Sequence, residues 1–295
     1  MIQSKISGVG VALITPFDKY EIDYNALERM IEHVICGGVD FIVALGSTAE
    51  TPTLSLVERQ QVLRFVVDKT SGRVPVVAGM GSNDTHALVE HLHNFDLSGI
   101  SAILSVVPYY NKPSQEGIYR HFIAVAEASP VPVIIYNVPG RTGVNMTAQT
   151  TLRLAHATKN IVAVKEASGD IEQMQVILDG RPSDFLVLSG DDGITVELVK
   201  RGGNGVISVA ANAFPGVFCK CVHDAMAGDI VKAEAEIERL NEAIALLFKE
   251  GNPTGVKCMT SVMGLTSDLP RLPLIAGSEE LREKMKIAVE KYELR

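Results

Sequence analysis

The sequence predicts an α/β fold, a (β/α)8 TIM barrel followed by a small C-terminal helical domain. Eight short apolar runs rich in β-branched residues alternate with longer amphipathic segments. The runs start about 20 to 35 residues apart, which is the length of a βα unit. Near-continuous apolar runs indicate strands that are buried on both faces, as in a parallel sheet.

Polar residues follow several of these runs directly, which favours a closed barrel over an open doubly wound sheet. Barrel sites draw on many strand ends at one face, whereas an open sheet concentrates its polar residues at one switch point. The predicted strands are Val9–Ile14, Phe41–Leu45, Val74–Ala78, Ala102–Val106, Val133–Tyr136, Ile161–Lys165, Phe185–Ser189 and Gly205–Val209.

The segments between the strands have the periodicity of helices. In the first of them, apolar residues recur three and four positions apart after Asp23, a predicted N-cap. In the second, Ser55 and Glu58 have the spacing of a capping box. The predicted helices are Asp23–Cys36, Ser55–Lys69, Thr85–Phe95, Ser114–Ala128, Thr147–His156, Ile171–Leu178 and Ile194–Lys200.

After about Gly228 the strand pattern stops. The segments Asp229–Lys249, Thr254–Met263 and Ser278–Lys291 are predicted helices, and prolines punctuate the stretches between them. We therefore predict two domains, a catalytic barrel over residues 1–227 and a helical domain over residues 228–295.

Composition and charge exclude several classes of function. The 295 residues carry a net charge of −8 and no basic stripe, so nucleic acid is not an expected partner. No secretory leader and no apolar run long enough to span a membrane is found, so we expect a cytoplasmic protein. The four cysteines are expected to be buried thiols, and the histidines form no metal-binding pattern, so neither a metal nor a cofactor is predicted.

Lys165 is the candidate nucleophile, because it alone among the lysines ends an apolar strand. A lysine must be neutral to attack a carbonyl, and burial lowers its pKa. Strand alternation predicts that Ile161, Ala163 and Lys165 share the face that forms the barrel interior. The sequence thus predicts a metal-free carbon–carbon lyase that forms a Schiff base with an oxo acid. The alternative is a structural ion pair, for example with Glu166.

Further polar residues follow other strands. Tyr136 is a candidate proton shuttle, and Arg141 is a candidate clamp for a carboxylate. The alternatives are that Tyr136 is an aromatic residue of the core and that Arg141 forms a surface ion pair. Ser47 and Thr48, in the stretch GSTAET, suit a carboxylate site or ordinary helix capping. The adjacent pair Tyr109–Tyr110 is typical of an oligomer contact.

Together these motifs resemble those of the dihydrodipicolinate synthase (4-hydroxy-tetrahydrodipicolinate synthase) family over nearly the whole chain. The matching stretches are GSTAET, PYYNKPSQEG, YNVPGRTG, VKEASGD, LSGDD and GVISV. The family condenses pyruvate with L-aspartate 4-semialdehyde through a lysine Schiff base, without a metal, and is typically a homotetramer.

The resemblance implies a role for each matching position. The Schiff-base lysine falls on Lys165, and the proton-shuttling tyrosine falls on Tyr136. The proton relay falls on Ser47 and on Tyr110, which the neighbouring subunit normally lends. The contacts to substrate fall on three residues: Thr48 for the pyruvate carboxylate, the main chain of Ile207 near pyruvate, and Arg141 for the carboxylate of the semialdehyde.

Two departures concern regulation. Family members that lysine inhibits have a histidine and a glutamate where this chain has Leu56 and Ala87, whereas Asn83 and Tyr109 are retained. We therefore predict weak or absent inhibition by lysine. Two other functions remain open: another pyruvate-dependent aldolase, such as N-acetylneuraminate lyase or an oxo-sugar-acid lyase, and a non-catalytic barrel that binds an oxo acid.

Overall fold

The computed structural model describes residue 2 and residues 6–294, and within them eight strands form a closed parallel barrel. In chain order the strands are β1 (Gly8–Ala12), β2 (Phe17–Asp18), β3 (Glu21–Ile22), β4 (Phe41–Ala44), β5 (Val76–Gly79), β6 (Ile100–Val106), β7 (Val133–Asn137), β8 (Ile161–Glu166), β9 (Leu186–Ser189) and β10 (Gly205–Ser208). All but β2 and β3 belong to the barrel, whose order around the ring is β1-β10-β9-β8-β7-β6-β5-β4. The predicted fold class is confirmed.

Each predicted barrel strand overlaps the observed one. The antiparallel hairpin of β2 and β3 was not predicted, because two residues per strand are too few to show a period.

Helices cover the outside of the barrel and form the C-terminal part. They are α1 (Tyr24–Cys36), α2 (Leu56–Thr70), α3 (Thr85–Asn94), α4 (Gln115–Ala128), α5 (Pro139–Thr142), α6 (Ala148–Ala157), α7 (Ile171–Gly180), α8 (Thr195–Lys200), α9 (Pro215–Met226), α10 (Ile230–Phe248), α11 (Thr254–Val262) and α12 (Glu279–Lys291). The helix α9, which completes the last βα unit, was missed. Its signal was present, since Pro215 occupies the first turn, where proline is favoured.

The predicted caps are observed. The Asp23 side chain accepts a hydrogen bond from the Ala26 amide, and Ser55 and Glu58 form the reciprocal capping box. The prediction of buried cysteines holds for Cys219, Cys221 and Cys258 and is wrong for Cys36, which is exposed at the end of α1.

Two apolar layers stabilise the barrel. One lies between the strands and the outer helices, and the other fills the barrel interior. Ala163 belongs to the interior layer, as predicted, but Ile161 packs with the outer layer. The register between β7 and β8 shifts by one residue at this point, and this irregularity breaks the alternation on which the prediction relied.

The predicted boundary after residue 227 falls in the turn between α9 and α10. We propose that residues 228–295 form a small helical domain that packs on the barrel. Their contacts with the barrel are extensive, since α10 packs on α9 and α8, and α11 reaches the loop after β10. Among the described residues, no helix is long and apolar enough to cross a membrane.

Candidate active site

A cavity of about 210 Å3 opens at the C-terminal ends of the barrel strands. Residues of the barrel strands and residues that follow β4, β7, β8, β9 and β10 line it, together with two residues from the C-terminal part. The polar members of its wall are Ser47, Thr48, Tyr136, Arg141, Lys165, Asp191 and Asn252. Five of the seven predicted site residues therefore meet in one place.

Lys165 lies near the end of β8, with 5% of its surface exposed, and its side chain reaches this cavity. Burial lowers the pKa of Lys165 to about 8, a net result in which the charge of Asp192 opposes the shift and that of Arg141 adds to it. Since ordinary lysine titrates near 10.5, a larger fraction of the amine is neutral at physiological pH. A neutral amine beside a cavity is what nucleophilic attack on a carbonyl requires.

Glu166 does not pair with Lys165, because consecutive residues of a strand point to opposite faces. Its carboxylate instead accepts hydrogen bonds from the side chains of Asn137 and Gln173 and from the Ser168 amide. Within residues 6–294, no carboxylate lies within ion-pair distance of Lys165. The alternative interpretation of Lys165 as an ion-pair residue is therefore wrong.

Asp192 is a buried acid that influences this lysine. One carboxylate oxygen accepts hydrogen bonds from the amides of Val209 and Ala210, at 3.1 and 3.0 Å. The other oxygen is buried and has no hydrogen-bond partner in the described part of the chain. Burial raises the pKa of Asp192 to about 6, so it is mostly ionised at neutral pH and favours the charged form of Lys165.

Tyr136 lies beside Lys165, since the two residues are register partners on β7 and β8. The Lys165 amine nitrogen is 4.3 Å from the centre of the Tyr136 ring. Burial raises the pKa of the phenol, and the positive charge of Arg141 partly offsets this. A protonated phenol next to the amine is placed to donate and recover a proton.

Arg141 lies on the short helix α5 that follows β7, at the exposed side of the cavity. Its guanidinium donates to the main-chain carbonyl of Asn252 at 2.9 Å. Because Arg141 has no acidic partner among the described residues, it is not the surface ion pair considered above. Its remaining N–H donors are free to take a carboxylate.

Ser47 and Thr48 form a 3₁₀ turn after β4. Thr48 is buried, and its hydroxyl accepts a hydrogen bond of 2.9 Å from the side-chain amide of Asn252. Neither hydroxyl caps the turn, so the helix-capping alternative does not apply here. Both residues lie in the cavity wall, next to Gly46.

Two predicted site residues are not in this wall. Ile207 is fully buried in the barrel interior, and the neighbouring Val209 lines the cavity instead. Tyr110 is 87% exposed, at a left-handed backbone position with φ of 70°, and does not reach the cavity of its own chain.

The sequence prediction missed the contribution of the C-terminal part. Phe248, the last residue of α10, and Asn252 close one side of the cavity. The only available signal was the break between two predicted helices at Pro253. A contact between residues 48 and 252 is invisible to local periodicity.

Among the described residues, no cluster of three or more histidine, cysteine, aspartate or glutamate side chains is placed to hold a metal ion.

The fold and the site together define a class of enzyme. Lyases that work through a lysine Schiff base have this architecture: a closed parallel barrel with a buried lysine, a tyrosine and an arginine around a cavity at its C-terminal face.

The chain belongs to the dihydrodipicolinate synthetase family, whose model matches residues 5–292. It is 50% identical over 296 residues to the 4-hydroxy-tetrahydrodipicolinate synthase of Phocaeicola vulgatus, with 100% of each chain covered. It is also 50% identical to the enzyme of the same name from Parabacteroides distasonis, over 97% of this chain and 98% of the other. The dihydrodipicolinate synthase of Acinetobacter baumannii, solved in complex with pyruvate, superposes with a TM-score of 0.95 at 38% identity, over 98% of this chain and 100% of that one.

Proposed function

We propose that this protein is a Schiff-base-forming lyase that condenses pyruvate with L-aspartate 4-semialdehyde to give 4-hydroxy-tetrahydrodipicolinate, as in lysine and diaminopimelate biosynthesis. The observation that carries the proposal is Lys165, a buried amine with a lowered pKa that faces the cavity rather than a carboxylate. The full-length similarity to relatives with this name supports the same reaction.

In the proposed reaction, neutral Lys165 attacks the ketone of pyruvate, and loss of water leaves a protonated imine. The imine withdraws electrons, so a methyl proton leaves and an enamine forms. The enamine carbon then attacks the aldehyde of the semialdehyde and forms the new carbon–carbon bond. Attack of the substrate amine on the imine closes the ring and frees Lys165. Tyr136 is the proposed proton shuttle, since it is beside the amine, and the reaction requires no metal or cofactor.

The two carboxylates are assigned to different parts of the cavity. We assign the pyruvate carboxylate to the turn of Ser47 and Thr48, which offers main-chain N–H groups and a buried hydroxyl near Lys165. The main chain of Ile207, on β10, is the proposed further contact to pyruvate. The carboxylate of the semialdehyde is assigned to Arg141, at the exposed side.

The proton relay is proposed to consist of Tyr136, Ser47 and a Tyr110 from a neighbouring subunit of a homotetramer. Tyr110 is too exposed to act in its own chain, and an exposed tyrosine on a left-handed turn is suited to reach across an interface. Light scattering should give a tetramer, and activity should fall on dilution below the dissociation range. A fully active monomer would contradict this assignment. As a biosynthetic enzyme, the protein is expected in the cytoplasm.

The relatives that the chain matches are named for this reaction, which favours it over the two alternative functions. A sugar-acid lyase on the same barrel would share Lys165 but would gain nothing from the arginine at residue 141, because a neutral sugar aldehyde has no carboxylate. Assays with aspartate semialdehyde and with N-acetylmannosamine separate these activities. A silent barrel that only binds an oxo acid would not need a reactive lysine.

Borohydride trapping tests the proposal directly. The protein is incubated with pyruvate, reduced with borohydride and analysed by peptide mass spectrometry. We expect reduced pyruvate on the peptide that contains Lys165, and none in Lys165→Met. An unmodified Lys165 peptide in the parent protein would overturn the proposed function.

A further inference from the structure

A second buried lysine lies outside the cavity and, unlike Lys165, forms an ion pair. Lys257, on α11, is fully buried and forms an ion pair with Glu50, of which only 2% is exposed. The Lys257 ammonium also donates to the carbonyl of Leu269 at 3.0 Å and lies 4.1 Å from the centre of the Phe17 ring. Neither charged group lines the 210 Å3 cavity.

Glu50 belongs to the same turn as Ser47 and Thr48. Its amide donates to the carbonyl of Ser47 at 3.2 Å, which closes the 3₁₀ turn. Its backbone has φ of 57°, a left-handed conformation that residues other than glycine rarely adopt. The Glu50 carboxylate is held by buried contacts, and its backbone is part of the turn that carries the proposed pyruvate site. Contacts of this carboxylate therefore act directly on that turn.

Four contacts tie this turn, or the next one at Thr53, to the C-terminal part of the chain. Thr48 accepts a hydrogen bond from the Asn252 side chain, and Glu50 pairs with Lys257. Glu50 also accepts from the Arg271 amide at 2.8 Å, and the Arg271 guanidinium donates to the Thr53 carbonyl at 2.9 Å. The turn is thus held from outside the barrel. A buried pair between charges is also the least adjustable of these contacts, because separating it strands a charge in an apolar interior.

We propose that the Glu50–Lys257 ion pair is a positioning device for the site of the pyruvate carboxylate, by which the C-terminal part fixes the Ser47–Thr48 turn. The pair acts through Thr48 and touches no substrate. The inference rests on the proposed function, since it takes pyruvate as the ligand of the turn.

The test removes the pair without leaving a buried charge. In Glu50→Gln with Lys257→Met, the glutamine oxygen still accepts from the Arg271 amide, but the ionic tie is gone. We expect the KM for pyruvate to rise roughly tenfold, while kcat and the KM for the semialdehyde change less than about twofold. A matched double variant of the exposed pair, Asp96→Asn with Arg64→Met, should leave all three constants unchanged.

A cycle with Thr48→Val separates positioning from general loss of structure. If the pair acts through Thr48, its removal should raise the KM for pyruvate by less than about twofold in the Thr48→Val background. The inference would be overturned if removal of the pair raised the KM for pyruvate equally in the parent and in the Thr48→Val protein. It would also be overturned if the variant with Glu50→Gln and Lys257→Met folded and kept an unchanged KM for pyruvate. Glu50→Asp keeps both charges but withdraws the carboxylate by one methylene, and it should give a smaller rise of about threefold. If the double variant does not fold, an unchanged KM in Glu50→Asp overturns the inference.

Borohydride trapping of pyruvate on unaltered protein is run beside these assays. Failure of the parent protein to trap pyruvate would overturn the proposed function. Trapping by the parent, with the same pyruvate dependence in the Glu50 and Lys257 variants, would overturn the positioning role alone.

Discussion

The amine nitrogen of Lys165 lies 4.3 Å from the centre of the Tyr136 ring, and both side chains face one cavity from neighbouring strands. The other buried lysine among the described residues, Lys257, lies against the carboxylate of Glu50 instead. Burial lowers the pKa of both lysines to about 8, so pKa alone does not distinguish them. The two lysines differ in their surroundings: Lys165 lies beside an open cavity, whereas Lys257 is part of an ion pair.

The two lysines should therefore respond oppositely to the same substitution. Lys165→Met should raise the free energy of unfolding by about 3 kcal/mol at pH 7, because it removes an amine whose charged form is disfavoured by burial. The folded-state pKa lies below the unfolded value, so this gain is complete below pH 8 and fades as the pH rises toward 10.5. Urea denaturation at pH 7 and pH 10 measures it.

Lys257→Met is the matched comparison and should lower stability by about 3 to 5 kcal/mol, because Glu50 is left buried without its partner. A stabilised Lys257→Met protein, or a destabilised Lys165→Met protein, would contradict the different environments assigned to these lysines.

Schiff-base formation should depend on pH through Lys165. At subsaturating pyruvate, the rate of imine formation should rise with pH up to about 8, as the amine loses its proton. Asp192→Asn removes a charge that raises the pKa of Lys165, so the rising limb should move roughly one pH unit lower. The difference should appear above pH 6, where Asp192 is ionised. Quenched reduction with borohydride at a series of pH values measures the rate.

Asp179→Asn is the control, because Asp179 is exposed on the outer helix α7. It should leave the profile unchanged. If the rising part of the pH profile for imine formation does not move in Asp192→Asn, Asp192 does not influence the protonation of Lys165.

Arg141→Gln should weaken the second substrate and spare the first. Loss of a charged hydrogen-bond partner is expected to raise the KM for aspartate semialdehyde roughly 10- to 100-fold. Trapping of pyruvate at saturation should be retained, since the Lys165 amine is still present and loss of the Arg141 charge only raises its pKa. Arg120→Gln, at an exposed position on α4, is the control. Equal losses for both substrates would argue against a clamp specific to the semialdehyde.

The pair of His223 and Asp40 should make stability depend on pH. The hydrogen bond to Asp40, 2.7 Å from the imidazole, raises the pKa of His223 above 6.5. The pair's contribution is therefore complete below pH 6.5 and is lost as the pH rises through the folded-state pKa. Compared with His223→Gln, the parent protein should have its larger advantage in urea midpoint at pH 5.5 and its smaller one at pH 8.5. An advantage that grows with pH would contradict this assignment.

Inhibition by lysine should be weak in this protein and should be restored by one substitution. A second cavity, of about 200 Å3, is lined by Arg59, Ala87, His91 and Tyr109, and no carboxylate is among its described lining residues. Its described lining offers no acidic partner for the ammonium groups of lysine, whereas Arg59 repels them. We expect Ala87→Glu to increase inhibition at millimolar lysine, and Ala87→Gln to serve as the uncharged control. Strong inhibition of the parent at sub-millimolar lysine would contradict the prediction.

Most of the barrel was predictable because its signals are local. Each barrel strand is a short apolar run, and the predicted helices were recognised by a 3.6-residue period. Capping residues such as Asp23 and Ser55 mark where some of these helices begin. The errors have local causes too. The shift of register at the start of β8 moved Ile161 to the outer layer, and the helix α9 has a proline start that was not used.

The sequence by itself determined the fold class and the place of Lys165 near the end of β8, because an apolar strand and the lysine that follows its apolar residues are visible in consecutive positions. It also determined that Tyr136 lies near the end of a strand and that Ser47, Thr48 and Arg141 follow strands, so that all four meet at one face. Only the tertiary structure decided that Asn252 reaches Thr48 and that Lys257 pairs with Glu50, which are separated by about 200 residues in the chain. Such contacts depend on how the C-terminal helices pack on the barrel, and packing between distant segments leaves no period in the sequence.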